Sequence, residues 1–436
     1  MLKLSVQGSS LKVKSSKFKV QGSRERMHTS RFPDANLNQF IPLAVMLGVL
    51  TIPAGPACAA LLGDTLKPFA SVTEMYDSNV FRVKDREQLR LLVGDDRMGD
   101  FTTQASVGTA IHYTLSRQEL DLLYRHDFIR FAHYTGQDVD QDTASGSLKL
   151  TILDRLRITA DGSYSKTPQP RADYQSTGQN EVTNIAGGVT VGYEMVSGVG
   201  FDAAYRRINV DYSLPQFSAN QYGVNSYSGT LFYRISPETK IYGTYQRDDT
   251  TYGEQLPLGP VSVDNSNVSD SFRVGLYKSF SPRTAVSGYV GFLNRRHNAA
   301  SARDFSGPIG KAEISYGLTA KLGLVLNWER QIHEETYTDR IYSVNDAVGA
   351  GLVCQISEKL KGTLMDRVTW KGFADLPGSG VVARSDFIND LNTGLEWVPI
   401  NRLTVSLNYG FSTRNSDDDS FDFSDHAVTV GLSYKY

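Results

Sequence analysis

The chain repeats a two-strand unit about every forty residues, and this period constrains its fold more than any other feature. Each period contains one short turn rich in Pro, Gly, Ser, Asp or Asn, the residues that tight turns prefer. Two strand-like stretches flank each turn, and a long polar loop follows. The turns are Ser116-Arg117, Asp154-Arg155, Ser197-Gly198, Ser236-Pro237-Glu238, Ser281-Pro282-Arg283, Ala320-Lys321, Ser357-Glu358-Lys359 and Pro399-Ile400-Asn401. The sequence therefore predicts eight β-hairpins.

Within each hairpin, apolar and polar residues alternate with a period of two, as they do in a strand whose two faces meet different surroundings. From Leu403 to Ser412 the odd-numbered residues are apolar and the even-numbered ones are Thr, Ser, Asn or Gly. In a soluble sandwich the apolar face meets a second sheet, whereas in a membrane barrel it meets lipid. The polar faces here hold Gly, Ser, Thr, Asn and scattered charges, too few apolar residues for a sandwich interior, which favours the barrel.

A forty-residue β period also fits a propeller, but a propeller blade packs four short strands into each period. This chain has two long strands per period, which indicates barrel hairpins. Sixteen hairpin strands, with one opening strand (KPFASVTEMY) and one closing strand (HAVTVGLSYKY), make eighteen. We therefore predict an all-β protein, a transmembrane antiparallel up-and-down β-barrel with short periplasmic turns and long extracellular loops. Such a barrel is wide enough for an aqueous channel.

Residues 1–59 are predicted to be an N-terminal extension and a secretory signal that precede a barrel of residues 60–436. The apolar run from Ile41 to Ile52 is too short to span a bilayer as a helix, and Ala57-Cys58-Ala59 resembles a cleavage site. The alternatives are a retained anchor and a lipoprotein acylated at Cys58, although the residues before Cys58 make a poor lipobox. The basic stretch before Met27 indicates that Met27 is the true start. Cleavage near Ala59 would deliver the chain to the bacterial outer membrane.

Composition and motifs argue against most other classes of function. Lys and Arg total 45 against 47 for Asp and Glu, so no basic excess indicates nucleic-acid binding. The catalytic motifs G-x-S-x-G, H-E-x-x-H and C-x-x-C are absent from the sequence. A barrel hydrolase could use His126-Asp127 or His333-Glu334, and five aspartates in residues 414–425 could bind calcium. Solvated residues explain both features more simply, so we predict no enzyme activity, cofactor or metal site.

Several charged and aromatic residues fall in phase with the polar faces and are predicted to line the lumen. Guanidinium groups and aromatic rings suit a sugar polymer, through paired hydrogen bonds to carboxylates and stacking on sugar faces. The alternative is that these charges pair with one another and stiffen the wall. Trp328, Trp370 and Trp397 are predicted to join the aromatic girdles at the membrane interfaces. The lumen candidates are Arg206, Arg234, Arg273, Arg295, Phe232, Tyr277, Tyr289, Glu329 and Glu396.

The opening strand, residues 68–83, resembles that of the exopolysaccharide-associated outer-membrane proteins of the EpsL type, which belong to the putative β-barrel porins. The shared signature is Tyr76-Asp77-Ser78-Asn79-Val80-Phe81-Arg82, and Ser116-Arg117-Gln118-Glu119-Leu120 resembles the family's first periplasmic turn. The specific motifs of this resemblance lie within residues 68–134 only. The resemblance implies a barrel that works beside periplasmic polysaccharide-export machinery and passes an exopolysaccharide chain across the outer membrane. A general diffusion porin and a structural barrel that anchors a periplasmic assembly are the alternatives.

The last strand ends on an aromatic residue, Tyr436, after alternating apolar positions. This ending resembles the signal that bacterial outer-membrane proteins present to the barrel-assembly machinery, which more often ends in Phe. The predicted partners are therefore outer-membrane lipid, the assembly machinery and, from the resemblance, the polymer and its export proteins.

Overall fold

The computed structural model describes residues 65–174, 176–258, 261–299, 304–335, 342–374 and 384–435. It also gives the backbone of three short antiparallel strands, Leu2–Gln7, Ser10–Ser15 and Lys19–Gln21. The predicted signal segment, Met27, Cys58, Ala59 and Tyr436 lie outside the described residues. In the described part of the chain, no helix has the length and apolar character needed to cross a membrane.

Eighteen antiparallel strands form one closed barrel, as the hairpin period predicts. Each strand pairs with the next along the chain, and the last pairs with the first. The strands are β1 (Leu66–Asp77), β2 (Asp100–Leu115), β3 (Gln118–Phe131), β4 (Val139–Ile152), β5 (Leu156–Pro168), β6 (Glu181–Glu194), β7 (Val199–Tyr212), β8 (Tyr222–Ser236), β9 (Thr239–Tyr252), β10 (Asn267–Ser281), β11 (Thr284–His297), β12 (Phe305–Gly317), β13 (Leu322–Glu334), β14 (Tyr342–Gln355), β15 (Leu360–Phe373), β16 (Ser385–Ile400), β17 (Leu403–Ser416) and β18 (Phe423–Lys435).

Short connections join the strands at one end of the barrel, and all eight were predicted. Several place a residue in the left-handed region, for example Ser116 (φ 57), Gly198 (φ 84) and Arg402 (φ 76). The last connection comes later than predicted, because β16 continues through Pro399 and Ile400 after a register shift at Trp397. Both ends of the barrel chain lie on this side, as an even number of strands requires.

Longer connections lie at the opposite end, and some of them carry secondary structure of their own. The connection between β1 and β2 contains the helix α1 (Arg86–Val93). The side chain of Asp85 caps this helix by accepting a hydrogen bond from Gln88 N, and Gly94 ends it in the left-handed region. Short 3₁₀ helices occupy Thr135–Gln137, Arg171–Asp173, Pro215–Asn220 and Asp419–Phe421, and a small hairpin pairs Leu256–Leu258 with Val261–Val263.

A contact across the barrel identifies the inward face of the strands. Arg414 Nη1 on β17 donates to the carbonyl oxygen of Ala172, 2.6 Å away in the connection between β5 and β6, six strands around the wall. Such a contact is made through the lumen, so the even-numbered residues of β17 face inward. The pairing registers extend this assignment around the barrel, because directly opposed residues share a face. The apolar side of residues 403–412 therefore faces lipid.

The outward face carries an apolar belt, and the tryptophans join it at different heights. Trp397 lies near the turn end of β16, and Trp370 lies near the loop end of β15 with its ring against Phe387. These positions fit the two interfaces. Trp328 lies at the middle of β13, between Ala312 and Val348. Its predicted place in a girdle is therefore wrong, because the alternation that identified it gives the face of a residue but not its height.

Candidate functional site: the lumen and its mouth

The nine lumen candidates all lie on the inward side of their strands. Arg206 shows this most directly, because its Nη1 is 2.5 Å from the Asp161 carboxylate on β5, with Gly188 of β6 between them in register. A recess of about 230 Å³ lies beside this pair. Its inner lining includes small or polar side chains, Ser226, Ser228 and Gln246. The recess forms because Gly and Ser leave room that a larger side chain would fill.

Arg234 is held by a carboxylate on the neighbouring hairpin. Its Nε and Nη2 donate to the two carboxylate oxygens of Glu194, at 2.6 and 2.9 Å. This paired geometry fixes the guanidinium plane. Arg157 lies near the same carboxylate, 3.8 Å away, and near Asp202 at 3.9 Å. The charges at this end of the lumen thus compensate one another, as the structural alternative predicts.

Arg273 differs from the other lumen arginines, since its charge is not neutralised by a carboxylate within the described residues. Its guanidinium lies 5.4 Å from the centre of the Tyr289 ring, and Nη2 donates to Ser271 Oγ at 3.1 Å. The Nε atom is buried and makes no hydrogen bond in the described part of the chain. Arg273 and Tyr289 therefore form a cation–π pair with a free positive charge on the lumen wall.

Phe232 and Tyr277 are inward-facing but contribute differently. Phe232 is buried, with its ring edge close to Gly200 and the Lys240 ammonium 3.9 Å from the ring centre. A Cβ at Gly200 would lie 2.2 Å from the ring, so only glycine fits there. Tyr277 lies opposite Ser287 on the inner wall and remains partly exposed. Phe232 thus belongs to the wall, while Tyr277 remains accessible.

The two acidic candidates pair with two lysines and one arginine on nearby strands. Glu329 lies 3.5 Å from Lys311 Nζ and 3.4 Å from Arg367 Nη2. Glu396 lies 3.4 Å from Lys361 Nζ. Arg295, on the loop side, is buried and forms an ion pair of 2.7 Å with Glu334. The candidates consequently form several local pairs around the wall and do not converge on one site.

The signature residues close the barrel. Arg82 Nη1 lies 2.5 Å from Asp77 Oδ2 at the end of β1, and its Nη2 lies 3.0 Å from Asp425 Oδ2 on β18. The Asn79 side chain donates to the carbonyl oxygens of Val83 and Ser424, at 2.7 and 3.1 Å. All of these side chains are buried. The signature therefore joins the first strand to the last, a role that needs no ligand.

The remaining signature aromatics contact protein as well. Tyr76 faces outward with its ring 6.4 Å from that of Phe101. Phe81 is 2 % exposed in a cluster with Val80, Val83 and Leu89 of α1. Its ring also meets Tyr134, from the connection between β3 and β4, at 5.0 Å. Burial raises the pKa of the Tyr134 hydroxyl, which lies near the carboxylates of Asp95 and Asp100. The connection between β1 and β2 is thus packed into the opening at the loop end of the barrel, which we call the mouth.

Two contacts at the mouth join parts of the wall that are several strands apart. Arg171 lies at the centre of the first one, with its guanidinium 5.1 Å from the Phe81 ring centre and Nη1 2.6 Å from the Ser176 carbonyl oxygen. Its neighbour Ala172 accepts the hydrogen bond from Arg414. The second contact runs from Asn220 Nδ2, next to β8, to the Glu335 carbonyl oxygen, 3.2 Å away at the end of β13, five strands further on. Sequence reasoning missed these residues because loops carry no periodic signal.

The described residues show no arrangement that supports the hydrolase or the calcium-site alternative. His126 faces outward and contacts Asp142, whereas Asp127 faces inward and contacts Arg125, so the two do not share a site. In the acidic loop Asp419 pairs with Lys84, and Asp422 accepts from Ser416 N at 2.7 Å. No group of His, Cys, Asp or Glu within the described ranges is arranged to hold a metal ion.

Comparison with known proteins found similarities that extend over the whole barrel. The family model described as "putative beta-barrel porin 2" matches residues 63–436. No curated protein matches the chain in sequence. Similar solved structures from Pseudomonas aeruginosa include the outer membrane protein OpdK (TM-score 0.47, 11% identity, 86% of this chain and 99% of that chain) and OccK9, also called OpdG (TM-score 0.48, 9% identity, 86% and 100%).

Proposed function

Since this chain belongs to the family of the putative beta-barrel porins 2, whose model spans its whole barrel, we propose that it is a diffusion channel for small polar solutes. Porins are channels of the bacterial outer membrane, and an eighteen-stranded barrel is wide enough to hold water. The inward face carries many polar and charged side chains, among them Asp161, Arg206 and Glu329, which suits an aqueous path.

The observation that carries this proposal is the pair of contacts across the mouth, from Arg414 to Ala172 and from Asn220 to Glu335. They divide the opening, so a wide polymer would have to displace both. Small solutes can pass beside them. The inner wall suits hydrated solutes of either charge, because most of its arginines have acidic partners, as Arg234 has Glu194 and Arg206 has Asp161.

Exopolysaccharide export is the second candidate, and it has two supports. The opening strand resembles that of EpsL-type proteins, and the Arg273–Tyr289 pair presents a cation and an aromatic ring to the lumen. Against it, the signature residues Asp77, Asn79 and Arg82 are buried against protein, so their presence is explained by barrel closure. A structural barrel that anchors periplasmic proteins is the third candidate and predicts no conductance.

Reconstitution into planar bilayers tests the three candidates together. A diffusion channel should conduct ions and let small neutral sugars enter proteoliposomes, with little effect of added exopolysaccharide. Polymer export predicts block by the polymer and a lower yield of secreted polymer after deletion of the gene. A protein that is folded but conducts nothing would leave the structural barrel as the better account.

The lumen arginines should affect ion selectivity unequally. Arg273→Gln removes a charge with no acidic partner in the described structure, so the reversal potential in a salt gradient should shift towards cation preference. The double variant Arg234→Gln with Glu194→Gln removes a neutral pair and should leave the potential unchanged. Equal shifts in the two variants would show that pairing does not govern selectivity.

We also propose that translation starts at Met27 and that the segment from Met27 to Ala59 is removed during export. The support is the apolar run followed by Ala57-Cys58-Ala59. N-terminal sequencing of protein purified from outer membranes should find a first residue close to position 60. A first residue far upstream would instead favour a retained anchor.

A further inference from the structure

An arginine cluster lies on the outer surface of the barrel, where the channel does not use it. Arg207 of β7, Arg247 of β9 and Arg296 of β11 face outward. Arg207 and Arg296 are adjacent to Arg206 and Arg295, which point into the lumen. Arg247 lies opposite Tyr227, which is 47% exposed on the outer face. These three residues form what we call the outer arginine cluster.

Two aspartates contact Arg247 and Arg296 but not Arg207. Asp270 on β10 lies 3.5 Å from Arg247 Nη1 and 2.7 Å from Arg296 Nη2. Arg247 Nε is also 3.3 Å from Asp249. Arg207 Nε donates to Asn209 Oδ1 at 3.0 Å and has no acidic partner in the described part of the chain. Arg247 and Arg296 are thus balanced by two carboxylates, whereas Arg207 adds a positive charge of its own, and the side chains of Arg247 and Arg296 remain 43% and 56% exposed.

A row of aromatic side chains lies beside the cluster and below it, towards the turn end. The Tyr205 and Tyr227 rings are 5.3 Å apart, and Phe272 and Phe292 continue the row on β10 and β11. The hydroxyl of Tyr245 donates to Asp270 Oδ1 at 2.6 Å, so this ring contacts the apolar belt while its hydroxyl reaches the cluster. Aromatic side chains with one apolar and one polar end are typical of the membrane interface.

The height of the cluster agrees with that interface. Apolar and aromatic residues occupy most outward positions of β8 from Ile235 to Tyr227. Eight steps at about 3.3 Å each, on strands tilted by about 40°, rise roughly 20 Å, close to the ~25 Å apolar band of outer-membrane barrels. The cluster therefore lies at the headgroup level on the loop side, which is the outer leaflet.

We propose that the outer arginine cluster binds the phosphates of a phosphorylated outer-leaflet glycolipid of the lipid A type. Guanidinium groups bind phosphate oxygens through paired hydrogen bonds. The arginines stand on alternate strands, about 10 Å from one to the next, which suits a headgroup with more than one phosphate. The acyl chains would lie on the aromatic row and on Leu231, Val274 and Val290 below it, all exposed on the outer face.

The test uses purified full-length protein in lipid-free detergent micelles, with diphosphorylated lipid A or phosphatidylglycerol added. A ligand that binds only the folded state raises the unfolding temperature. Lipid A should raise it for the wild type, with little rise from phosphatidylglycerol. The rise should be lost in the triple variant Arg207→Gln, Arg247→Gln, Arg296→Gln. It should persist in the control Lys166→Gln with Arg330→Gln, which removes two outward cations that pair elsewhere, with Glu181 and Asp346.

Because the triple variant leaves Asp270 without its arginines and could misfold, Arg207→Gln alone is the second variant. It frees no carboxylate and should weaken lipid A binding at least about tenfold, the lower end of the range for a lost charged hydrogen bond. Equal stabilisation of the wild type and Arg207→Gln would overturn the assignment of the site. Equal stabilisation by phosphatidylglycerol would overturn the choice of lipid, and so would no stabilisation by lipid A.

Discussion

Arg82→Ala is expected to destabilise the barrel by roughly 3–5 kcal/mol, the usual cost of removing one partner from a buried ion pair. The change would leave the carboxylates of Asp77 and Asp425 buried without the guanidinium that joins them. Burial disfavours the charged form of Arg82, but the two carboxylates outweigh this effect and raise the pKa of the guanidinium. The arginine is therefore held in its charged form at the closure between β1 and β18.

Urea unfolding in detergent micelles, followed by heat-modifiable migration on a gel, measures this loss. The matched control is Lys84→Ala, which removes an exposed ion pair with Asp419 in the same region and should leave the urea midpoint nearly unchanged. Arg82→Lys keeps the charge but cannot form both contacts, so its stability should be intermediate. If Arg82→Ala and Lys84→Ala unfold alike, the signature does not stabilise the closure.

Arg171→Ala combined with Arg414→Ala is expected to widen the mouth and raise single-channel conductance roughly twofold or more, because conductance follows the open cross-section. Arg171 contacts Phe81 and the Ser176 carbonyl oxygen of its own loop, and Arg414 on β17 connects that loop to the wall six strands away. Without these contacts the connection between β5 and β6 loses its attachment across the lumen. Larger neutral sugars should then enter proteoliposomes.

Planar-bilayer recordings of the double variant and its parent measure the change. The control is Lys84→Ala with Asp419→Ala, which removes an ion pair at the same end of the barrel but contacts neither Ala172 nor Arg414. Its conductance and size limit should match those of the parent. An unchanged size limit in the Arg171 and Arg414 double variant would show that these contacts do not restrict passage, and the proposal of a narrow mouth would fail.

The barrel could be predicted from the sequence because its two periodic signals are local. Ser236-Pro237-Glu238 marks a turn by residue type alone, and the alternation from Leu403 to Phe411 assigns each side chain to lipid or lumen without knowledge of any neighbour. The same alternation put Arg206, Arg234 and Arg273 on the inner wall. It could not show that Arg234 has Glu194 as a partner whereas Arg273 has none in the described structure, since that depends on which strands are adjacent.

The mouth could not be predicted for the opposite reason. Arg171, Ala172 and Asn220 lie in connections whose composition carries no period, and their partners are remote in the chain. The signature from Tyr76 to Arg82 was noticed as a family resemblance and interpreted through polysaccharide export. The buried contacts of Asp77, Asn79 and Arg82 instead relate it to closure, which a sequence motif alone does not reveal.

The closure also has a consequence for biogenesis. Arg82 forms an ion pair with Asp425, which lies almost at the end of the chain. This ion pair can therefore form only after every intervening strand has been synthesised. Contacts of such long sequence separation form late. A chain truncated before β18 would retain a buried arginine with one of its two acidic partners missing and an unpaired edge on β1. Incomplete products would therefore open more readily, and periplasmic proteases could remove them before they reach the membrane.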